Sequence, residues 1–539
     1  MLLRYALVEV RALQLYGKDC REGYREMALE RVLSVSQLLE KTAERTPAKE
    51  AVYDLVRRLT YGELQKEVHQ LACALVSLGI KEGDRVGVSL PNWHETVELF
   101  FAISKVGAIL VPFNPKYRAH EVNYILANSG AKVVFVCEDF EKVGFESVAS
   151  LVETVVTVRY EKQGYQSFSE LMKKEYQTAF PSVIPDPDND IFCFLYTSGT
   201  TGSPKGVMIT HRSVVQSGMA IGKSLKCDQD DVFIIVSPLF HVFGMSCNLM
   251  SAVYFQSKMV LLDKYHPHKA LQLIEQEKVT VHHAVPAMLA MELQHPDFAA
   301  YDLSSLRTGI TGASLCPPET IQAVRDRMGM NLCVSFGTTE TGSVTLTPYE
   351  AQGHHVLDTV GKAIDGVEIR IVNEQREPVP SGVTGEIAYR GFGLMKGYYQ
   401  LPEQTALAID KDGWYYTGDL GTMDEEGYIR FVGRKKEMII KGGYNIYPQE
   451  IEDVLRKYPK VREVAIVGLP DPIMGELVCA AIKLKDEVTC TMEEINEFLR
   501  PQFASYKLPS RVVFVEEIPT TASGKIQKTK LKDALMESV

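Results

Sequence analysis

Two periods of hydrophobic spacing alternate along the first two-thirds of the chain. In Thr60–Gly79 (T-Y-G-E-L-Q-K-E-V-H-Q-L-A-C-A-L-V-S-L-G), Leu64, Val68, Leu71, Leu75 and Leu78 fall on one helical face. Thr60 with Glu63 three residues on reads as a capping box, and Gly79 suits the helix end. Val32–Glu44, Trp93–Val106 and His120–Ser129 read as further helices. Between them lie short apolar runs that read as strands: Arg85–Leu90, Ile109–Phe113, Lys132–Cys137 and Ile191–Tyr196. The alternation resumes with strands at Asp231–Pro238, Lys258–Leu262 and Thr280–Ala284 and helices at His268–Glu277, Pro286–Gln294 and Pro318–Met328. Strands alternating with helices predict layers built on parallel sheets.

From about Leu346 the texture changes to short strands punctuated by glycine: Gly361–Val372, Gly385–Arg390, Gly413–Tyr416 and Gly427–Val432. That pattern predicts a small β-subdomain over about 346–433. Beyond Gly433-Arg434-Lys435-Lys436 another α/β unit is expected, with helices Pro448–Lys457 and Met492–Phe503 and strands Val461–Gly468, Val478–Lys485 and Arg511–Val515. The predicted fold class is α/β: a large N-terminal domain of layered α/β subdomains with a small β-subdomain, and a smaller C-terminal α/β domain. At 539 residues the chain is long enough for several cores.

Composition changes this picture little. Apolar residues make 45% and charged residues 24%, as in ordinary globular proteins. A net charge of −11 argues against nucleic acid as the main partner. Ten cysteines form no C-x-x-C pair, and Cys73 and Cys193 sit in apolar contexts, which reads as buried free thiols. The pairs His282–His283 and His354–His355 lack metal-ligand spacing. No apolar run approaches the ~18 residues of a membrane-spanning helix, and Arg4, Glu9 and Arg11 interrupt the opening stretch. A cytoplasmic protein is expected, touching membranes at most peripherally through its substrate.

The chemistry begins at Tyr196–Gly206, Y-T-S-G-T-T-G-S-P-K-G. Thr197, Ser198, Thr200, Thr201 and Ser203 supply hydroxyls, Gly199 and Gly202 allow close backbone approach, and Lys205 adds a positive charge. Directly after a buried strand, this reads as a loop that cradles phosphate. It is not a Walker loop, because Pro204 occupies the place of the second glycine and Gly206 that of the magnesium-binding hydroxyl.

The same run resembles the phosphate loop of the adenylate-forming superfamily: acyl-CoA synthetases, luciferases and peptide-synthetase adenylation domains. Five further segments share the resemblance, in order: S-P-L-F-H-V-F-G-M (Ser237–Met245), S-F-G-T-T-E-T-G (Ser335–Gly342), Y-T-G-D-L-G (Tyr416–Gly421), G-R-K-K-E-M-I-I-K-G-G-Y-N-I-Y-P-Q-E-I-E (Gly433–Glu452) and P-T-T-A-S-G-K-I-Q-K (Pro519–Lys528). Thr311-Gly312-Ala313-Ser314 stands, in divergent form, where the superfamily has an adenine loop. The agreement runs from about residue 35 to 532.

The resemblance implies roles for these residues. Thr197–Gly202 and Lys205 would hold the β- and γ-phosphates; Gly312, Ala313, Phe336, Gly337 and Thr338 would surround adenine; Thr339 would contact the α-phosphate. Phe336 replaces the usual tyrosine, which keeps ring stacking and loses the phenolic hydrogen bond. Glu340, with Thr197, would hold Mg²⁺, which prefers oxygen ligands beside phosphates. Asp419 would accept the ribose hydroxyls, with Arg434 beside it. His241, Phe243, Ala284, Val285, Gly309 and Thr311 would line the acyl pocket, His241 in an apolar setting. Lys436 would be the hinge, Gly442-Gly443 would pass the pantetheine arm, and Lys525 would be the catalytic lysine.

The domains expected on this basis are an extension at 1–30, an AMP-binding domain at 31–433, a hinge at 434–436 and a mobile C-terminal domain at 437–539. Translation is expected to start at Met27. The implied activity is that of an ATP- and Mg²⁺-dependent acyl-CoA synthetase of the long-chain-fatty-acid type. It would activate a medium- or long-chain fatty acid through an acyl-adenylate and transfer it to coenzyme A. The alternatives are an aryl-acid CoA ligase and a ligase that loads a carrier protein. A homodimer is one option for the assembly.

Overall fold

A computed structural model describes residues 33–143, 145–176, 183–197, 204–520 and 526–537. The expected start at Met27 and the extension at 1–30 therefore lie outside the described residues, as do Ser198–Ser203 of the phosphate loop and Lys525. Residue contacts divide the chain into two compact units, one of residues 1–369 and 389–415, the other of 370–388 and 416–539.

The first unit is built on two large sheets. One runs in the order Gly397–Tyr398, Lys205–Thr210, Ile191–Thr197, Ile109–Pro112, Arg85–Ser89, Ala131–Val136, Thr154–Thr157 and Gln166–Ser167. The other runs Lys362–Ala363, Gly342–Leu346, Asn331–Thr338, Thr308–Thr311, Val281–His283, Val232–Ile235, Lys258–Leu261, Glu50–Tyr53 and Arg58–Thr60. Their centres are parallel, as the alternation predicts. The pairing turns antiparallel at Ile191–Thr197 with Lys205–Thr210, and again at Asn331–Thr338 with Gly342–Leu346. Each of these hairpins ends at a segment singled out for phosphate or metal chemistry.

Helices form where the pattern placed them, with ends shifted by a few residues. Tyr61–Ser77 carries the expected capping box: Thr60 Oγ1 accepts from the Glu63 N–H while Glu63 reaches back to the Thr60 N–H. Its inward face, Leu64, Val68, Leu71 and Leu75, is buried. His94–Val106 is buried nearly all round because it packs inside the unit, and the left-handed Gly107 ends it. Several helices were not anticipated, among them His211–Ser224, Lys528–Glu537 and Phe243–Met250; the last is a π-helix, wholly buried, inside the S-P-L-F-H-V-F-G-M segment. Its start is held by close backbone approach, since a Cβ on Gly244 would lie 2.2 Å from the Pro238 carbonyl oxygen.

The second unit holds most of a four-stranded sheet ordered Val367–Val372, Gly385–Gly391, Tyr415–Met423 and Ile429–Arg434. It continues into a five-stranded sheet in which the long hairpin Val461–Asp471/Gly475–Leu484 is central. Helices Pro448–Leu455 and Met492–Leu499 cover one face through Ile451, Leu455, Ile495 and Leu499, and Lys528–Glu537 covers the other with Leu531 and Leu535. Met492–Leu499 is shorter than the helix expected to reach Phe503, because 500–503 turns off the helix.

The cysteines described are all free, and all but Cys490 are buried, as expected. No described helix is long and apolar enough to cross a membrane.

Candidate active site

Four neighbouring parallel strands of the nine-stranded sheet, Val232–Ile235, Val281–His283, Thr308–Thr311 and Asn331–Thr338, end on the same edge. The segments that leave these carboxyl ends carry His241 and Phe243, then Ala284 and Val285, then Gly312 and Ala313, then Thr339 and Glu340. The fold thus brings the expected acyl, adenine and metal residues of this unit to one rim, the position at which open α/β sheets bind ligands.

Close backbone packing shapes that rim. Ala284 N–H donates to the Ile310 carbonyl at 3.0 Å, and a Cβ on Gly309 would lie 1.9 Å from the His282 carbonyl oxygen. Phe243 is buried, with its ring 6.3 Å from that of His283. His283 Nδ1 accepts from the Ile310 N–H at 3.1 Å, and burial pushes this imidazole down to about 3, so it is neutral. Thr311 is fully buried and its Oγ1 has no hydrogen-bond partner among the described residues. Ala313 adopts φ 64°, a left-handed conformation rare for a residue with a Cβ and one that concentrates at ligand-binding turns. His241 departs from its expected apolar setting: it is exposed, and its Nδ1 accepts from the Phe243 N–H at 3.4 Å.

Phe336 is buried and Gly337 exposed, at a register irregularity in the Asn331–Thr338/Gly342–Leu346 hairpin. Thr338 N–H donates to Thr341 Oγ1 at 3.2 Å, which shapes the turn that presents Thr339 and Glu340, both half-buried. Glu340 Oε1 accepts from the Tyr398 hydroxyl at 2.9 Å, and its backbone carbonyl accepts from the Met395 N–H at 2.8 Å. Its Oε2 has no hydrogen bond among the described residues. A carboxylate with one oxygen anchored and the other open fits a hard cation such as Mg²⁺.

In the other sheet Thr197 and Lys205 are cross-strand partners, so the base of the phosphate loop is a closed antiparallel pair. The Tyr196 hydroxyl donates to Asn128 Oδ1 at 2.7 Å and fixes the strand before the loop. The Lys205 ammonium lies 4.9 Å from the centre of the Tyr398 ring.

In the second unit Asp419 and Arg434 are paired across the Tyr415–Met423/Ile429–Arg434 hairpin, with Arg434 Nε 3.4 Å from Asp419 Oδ1. Asp419 N–H donates to Thr417 Oγ1, whose own hydroxyl donates to the Ile387 carbonyl. Lys436 is exposed in the short turn Lys435–Glu437. Gly442 and Gly443 form the left-handed turn (φ 58° and 83°) between Ile439–Lys441 and Tyr444–Ile446, with nothing within 4 Å of a Cβ placed on Gly443. Thr520 and Ile526 pair in an isolated antiparallel bridge; Lys525 lies outside the described residues.

Residues 39–399 match the AMP-binding enzyme family, and residues 450–525 match the AMP-binding enzyme C-terminal domain. The chain belongs to the AMP-binding enzyme family. It is 36% identical to the putative acyl-CoA synthetase YngI of Bacillus subtilis, over 94% of this chain and 97% of that relative. It is 35% identical to the human mitochondrial medium-chain acyl-CoA ligase ACSF2, over 93% of this chain and 87% of the relative. The solved structure of ATP-bound MatB from Rhodopseudomonas palustris superposes with a TM-score of 0.85 at 29% identity, covering 93% of this chain and 99% of that one. These relatives set this AMP-binding enzyme among the acyl-CoA ligases and confirm its α/β class with a large N-terminal and a smaller C-terminal domain.

Sequence reasoning missed two features of this AMP-binding enzyme. Tyr398, in G-F-G-L-M-K-G-Y-Y, belongs to none of the motifs read from the sequence, yet it touches both Lys205 and Glu340. Its signal was only a pair of tyrosines directly after a glycine. His282, read as a histidine without metal-ligand company, is fully buried with Nε2 3.0 Å from the carboxylate of Glu292. Among the described residues, one group has metal-ligand proximity: Asp54, His94 and Glu95. The guanidinium of Arg159 is bonded to all three and fills the place of a cation there.

Proposed function

We propose that this AMP-binding enzyme is an ATP-dependent medium-chain acyl-CoA ligase. A carboxylate attacks the α-phosphorus of ATP to give acyl-adenylate and pyrophosphate; the thiolate of coenzyme A then attacks the acyl carbon and expels AMP. The observation that carries the reading is the common rim of four parallel strand ends, with Phe243, Ala284, Thr311, Ala313 and Glu340 on it. Medium chain length is supported by the likeness to ACSF2, a medium-chain acyl-CoA ligase. The long-chain type expected from the sequence is the second reading, which the names of YngI and ACSF2 do not specify.

The acid has a pKa of about 4.3 and is already ionised near neutrality, so the first half needs no general base. It needs two anions brought together. Lys205 and the loop Thr197–Gly202 hold the leaving pyrophosphate, Thr339 addresses the α-phosphate, and Lys525 neutralises charge as it develops. Mg²⁺, held by Glu340 with Thr197, would supply Lewis-acid neutralisation of the phosphate oxygens. Phe336, Gly337, Thr338, Gly312 and Ala313 enclose adenine, and Asp419 accepts the ribose hydroxyls, with Arg434 fixing the Asp419 carboxylate. Phe243, Ala284, Val285, Gly309 and Thr311 hold the acyl chain with His241 at its mouth. For the second half, Lys436 serves as the pivot that exchanges Lys525 for the Gly442-Gly443 turn, through which the pantetheine arm passes. The cytoplasmic compartment expected from the sequence is carried into this proposal, although ACSF2 is mitochondrial.

The test separates the halves. Protein given ATP, Mg²⁺, coenzyme A and octanoate is expected to release AMP and form octanoyl-CoA at equal rates. Lys525→Ala is expected to stop adenylation while leaving thioester formation from supplied octanoyl-adenylate. ADP as the nucleotide product would overturn the reaction, and equal loss of both halves would overturn the role of Lys525.

A further inference from the structure

The segment Gly391–Tyr399 has no role in the mechanism above, yet it is bonded to both halves of the phosphate chemistry of the first unit. Gly397–Tyr398 pairs antiparallel with Val207 and Met208, on the strand that leaves the phosphate loop. Lys396 N–H donates to the Met208 carbonyl at 2.9 Å and Tyr399 N–H to the Gly206 carbonyl at 2.8 Å. Upstream the chain turns at Phe392–Gly393, and the Met395 N–H then donates to the Glu340 carbonyl. Thr405 Oγ1 accepts from the Tyr398 N–H at 2.9 Å, so the tyrosine is set by backbone bonds on both sides.

We infer that Tyr398 is the positioning residue of the phosphate–magnesium site, orienting the Glu340 carboxylate through its hydroxyl and the Lys205 ammonium through its ring. The inference rests on the reading of Glu340 as the magnesium carboxylate. Tyr398 is 8% exposed. Its hydroxyl donates to Glu340 Oε1 at 2.9 Å, and its ring centre lies 4.9 Å from Lys205 Nζ.

Two consequences follow for groups of opposite charge. The Tyr398 bond makes the Glu340 oxygens unequal: Oε1 is committed and Oε2 is left for a cation. A carboxylate whose rotamer is already fixed loses less entropy on binding metal, as a metal ligand oriented by an outer hydrogen bond does. The ring face attracts the ammonium of Lys205 from the far end of the loop strand, which sets that charge without neutralising it. One side chain therefore ties the grip on pyrophosphate to the metal carboxylate. A packing tyrosine would need neither contact.

The experiment is a titration with Mn²⁺ as the probe, read by electron paramagnetic resonance on the full-length protein with a non-hydrolysable ATP analogue and no acid. Tyr398→Phe keeps the ring and removes the hydroxyl, Tyr398→Leu removes both, and Glu340→Gln tests the underlying reading. Glu340→Gln is expected to weaken Mn²⁺ binding most. Tyr398→Phe is expected to weaken it roughly tenfold, the loss of one hydrogen bond to a charged group, with affinity for the analogue nearly unchanged. Tyr398→Leu is expected to add a loss of analogue affinity of roughly threefold to fivefold, from Lys205. Melting temperatures report folding, and a Tyr398→Trp variant, which keeps the aromatic face, should restore analogue affinity but not Mn²⁺ affinity if Tyr398→Leu is unstable. Unchanged Mn²⁺ binding in Tyr398→Phe, with a large loss in Glu340→Gln, would overturn the inference alone. Unchanged binding in Glu340→Gln would overturn the metal reading of Glu340, and the inference with it.

Discussion

Gly337 offers a perturbation whose size can be worked from the backbone. A Cβ placed on it would lie 2.0 Å from the Gly342 carbonyl oxygen and 2.8 Å from Ser343 Cα, where ordinary contact begins at 3.4 Å. Both obstacles are backbone of the partner strand, so no rotamer relieves them. Gly337→Ala must therefore part the hairpin by about 1.4 Å, the shortfall from ordinary contact, just before the turn carrying Thr339 and Glu340. Gly337 does not have a left-handed φ, so the effect is steric. Overpacking of this kind costs about 1–3 kcal/mol, and a 1 Å misplacement of reacting groups costs about 10²-fold in rate. We expect acid-dependent ATP–pyrophosphate exchange to fall by about two orders of magnitude, with the melting temperature lowered by only about 2–10 °C. Gly329→Ala is the control: its φ is 67° with nothing within 4 Å, so it should lose some stability and keep its exchange rate. An exchange rate for Gly337→Ala within twofold of the unmodified enzyme would refute the claim that this hairpin sets the site.

Three further outcomes are expected. Asp419→Asn, at a carboxylate 5% exposed beside Arg434, should raise KM for ATP by about 10²-fold or more, while 2′,3′-dideoxy-ATP should bind both proteins alike; selective loss of the dideoxy compound would count against ribose recognition. Glu98 is fully buried, close to the carboxylates of Glu67 and Glu95. Burial, then Glu67 and Glu95, raise its pKa well above 4.5, while Arg57 opposes this and His94 Nε2 lies 3.9 Å away. The folded state thus holds this proton more tightly than the unfolded one, a stabilisation complete below 4.5 and lost as pH rises through the raised value. Glu98→Gln should therefore gain melting temperature relative to the unmodified protein as pH rises from about 5 to 8; a difference that does not change with pH would contradict this. Finally, Thr60→Ala removes the capping-box hydroxyl that accepts from the Glu63 N–H, and should cost about 1 kcal/mol in denaturant melts with catalysis intact.

Much of this architecture is legible in the sequence because it is local. The Tyr61–Ser77 helix announces itself through Thr60, Glu63 and a leucine stripe, and Ile191–Thr197 through an uninterrupted apolar run. The π-helix Phe243–Met250 is not legible because its hydrogen-bond period differs from the 3.6-residue spacing of an α-helix, and Pro238 and Gly244 are not helix-forming residues. Tyr398 escaped for a different reason. Its partners, Lys205 and Glu340, are distant along the chain, and only antiparallel pairing at the sheet edge brings them together. The cluster of Asp54, His94, Glu95 and Arg159 was invisible likewise, since Arg159 reaches the others from a separate loop with φ 61°. Motif residues were readable where one short run carried the chemistry, and unreadable where the fold assembles it.

The central claim is that this rim activates a carboxylic acid as its adenylate before any thiol is involved. ATP–pyrophosphate exchange, measured without coenzyme A over a panel of straight-chain acids from four to sixteen carbons plus benzoate and 4-coumarate, tests it directly. The account predicts acid-dependent exchange that peaks at about eight to ten carbons, with AMP released in quantity only when coenzyme A is added. Exchange that is flat across every acid, or AMP release indifferent to coenzyme A, would contradict it.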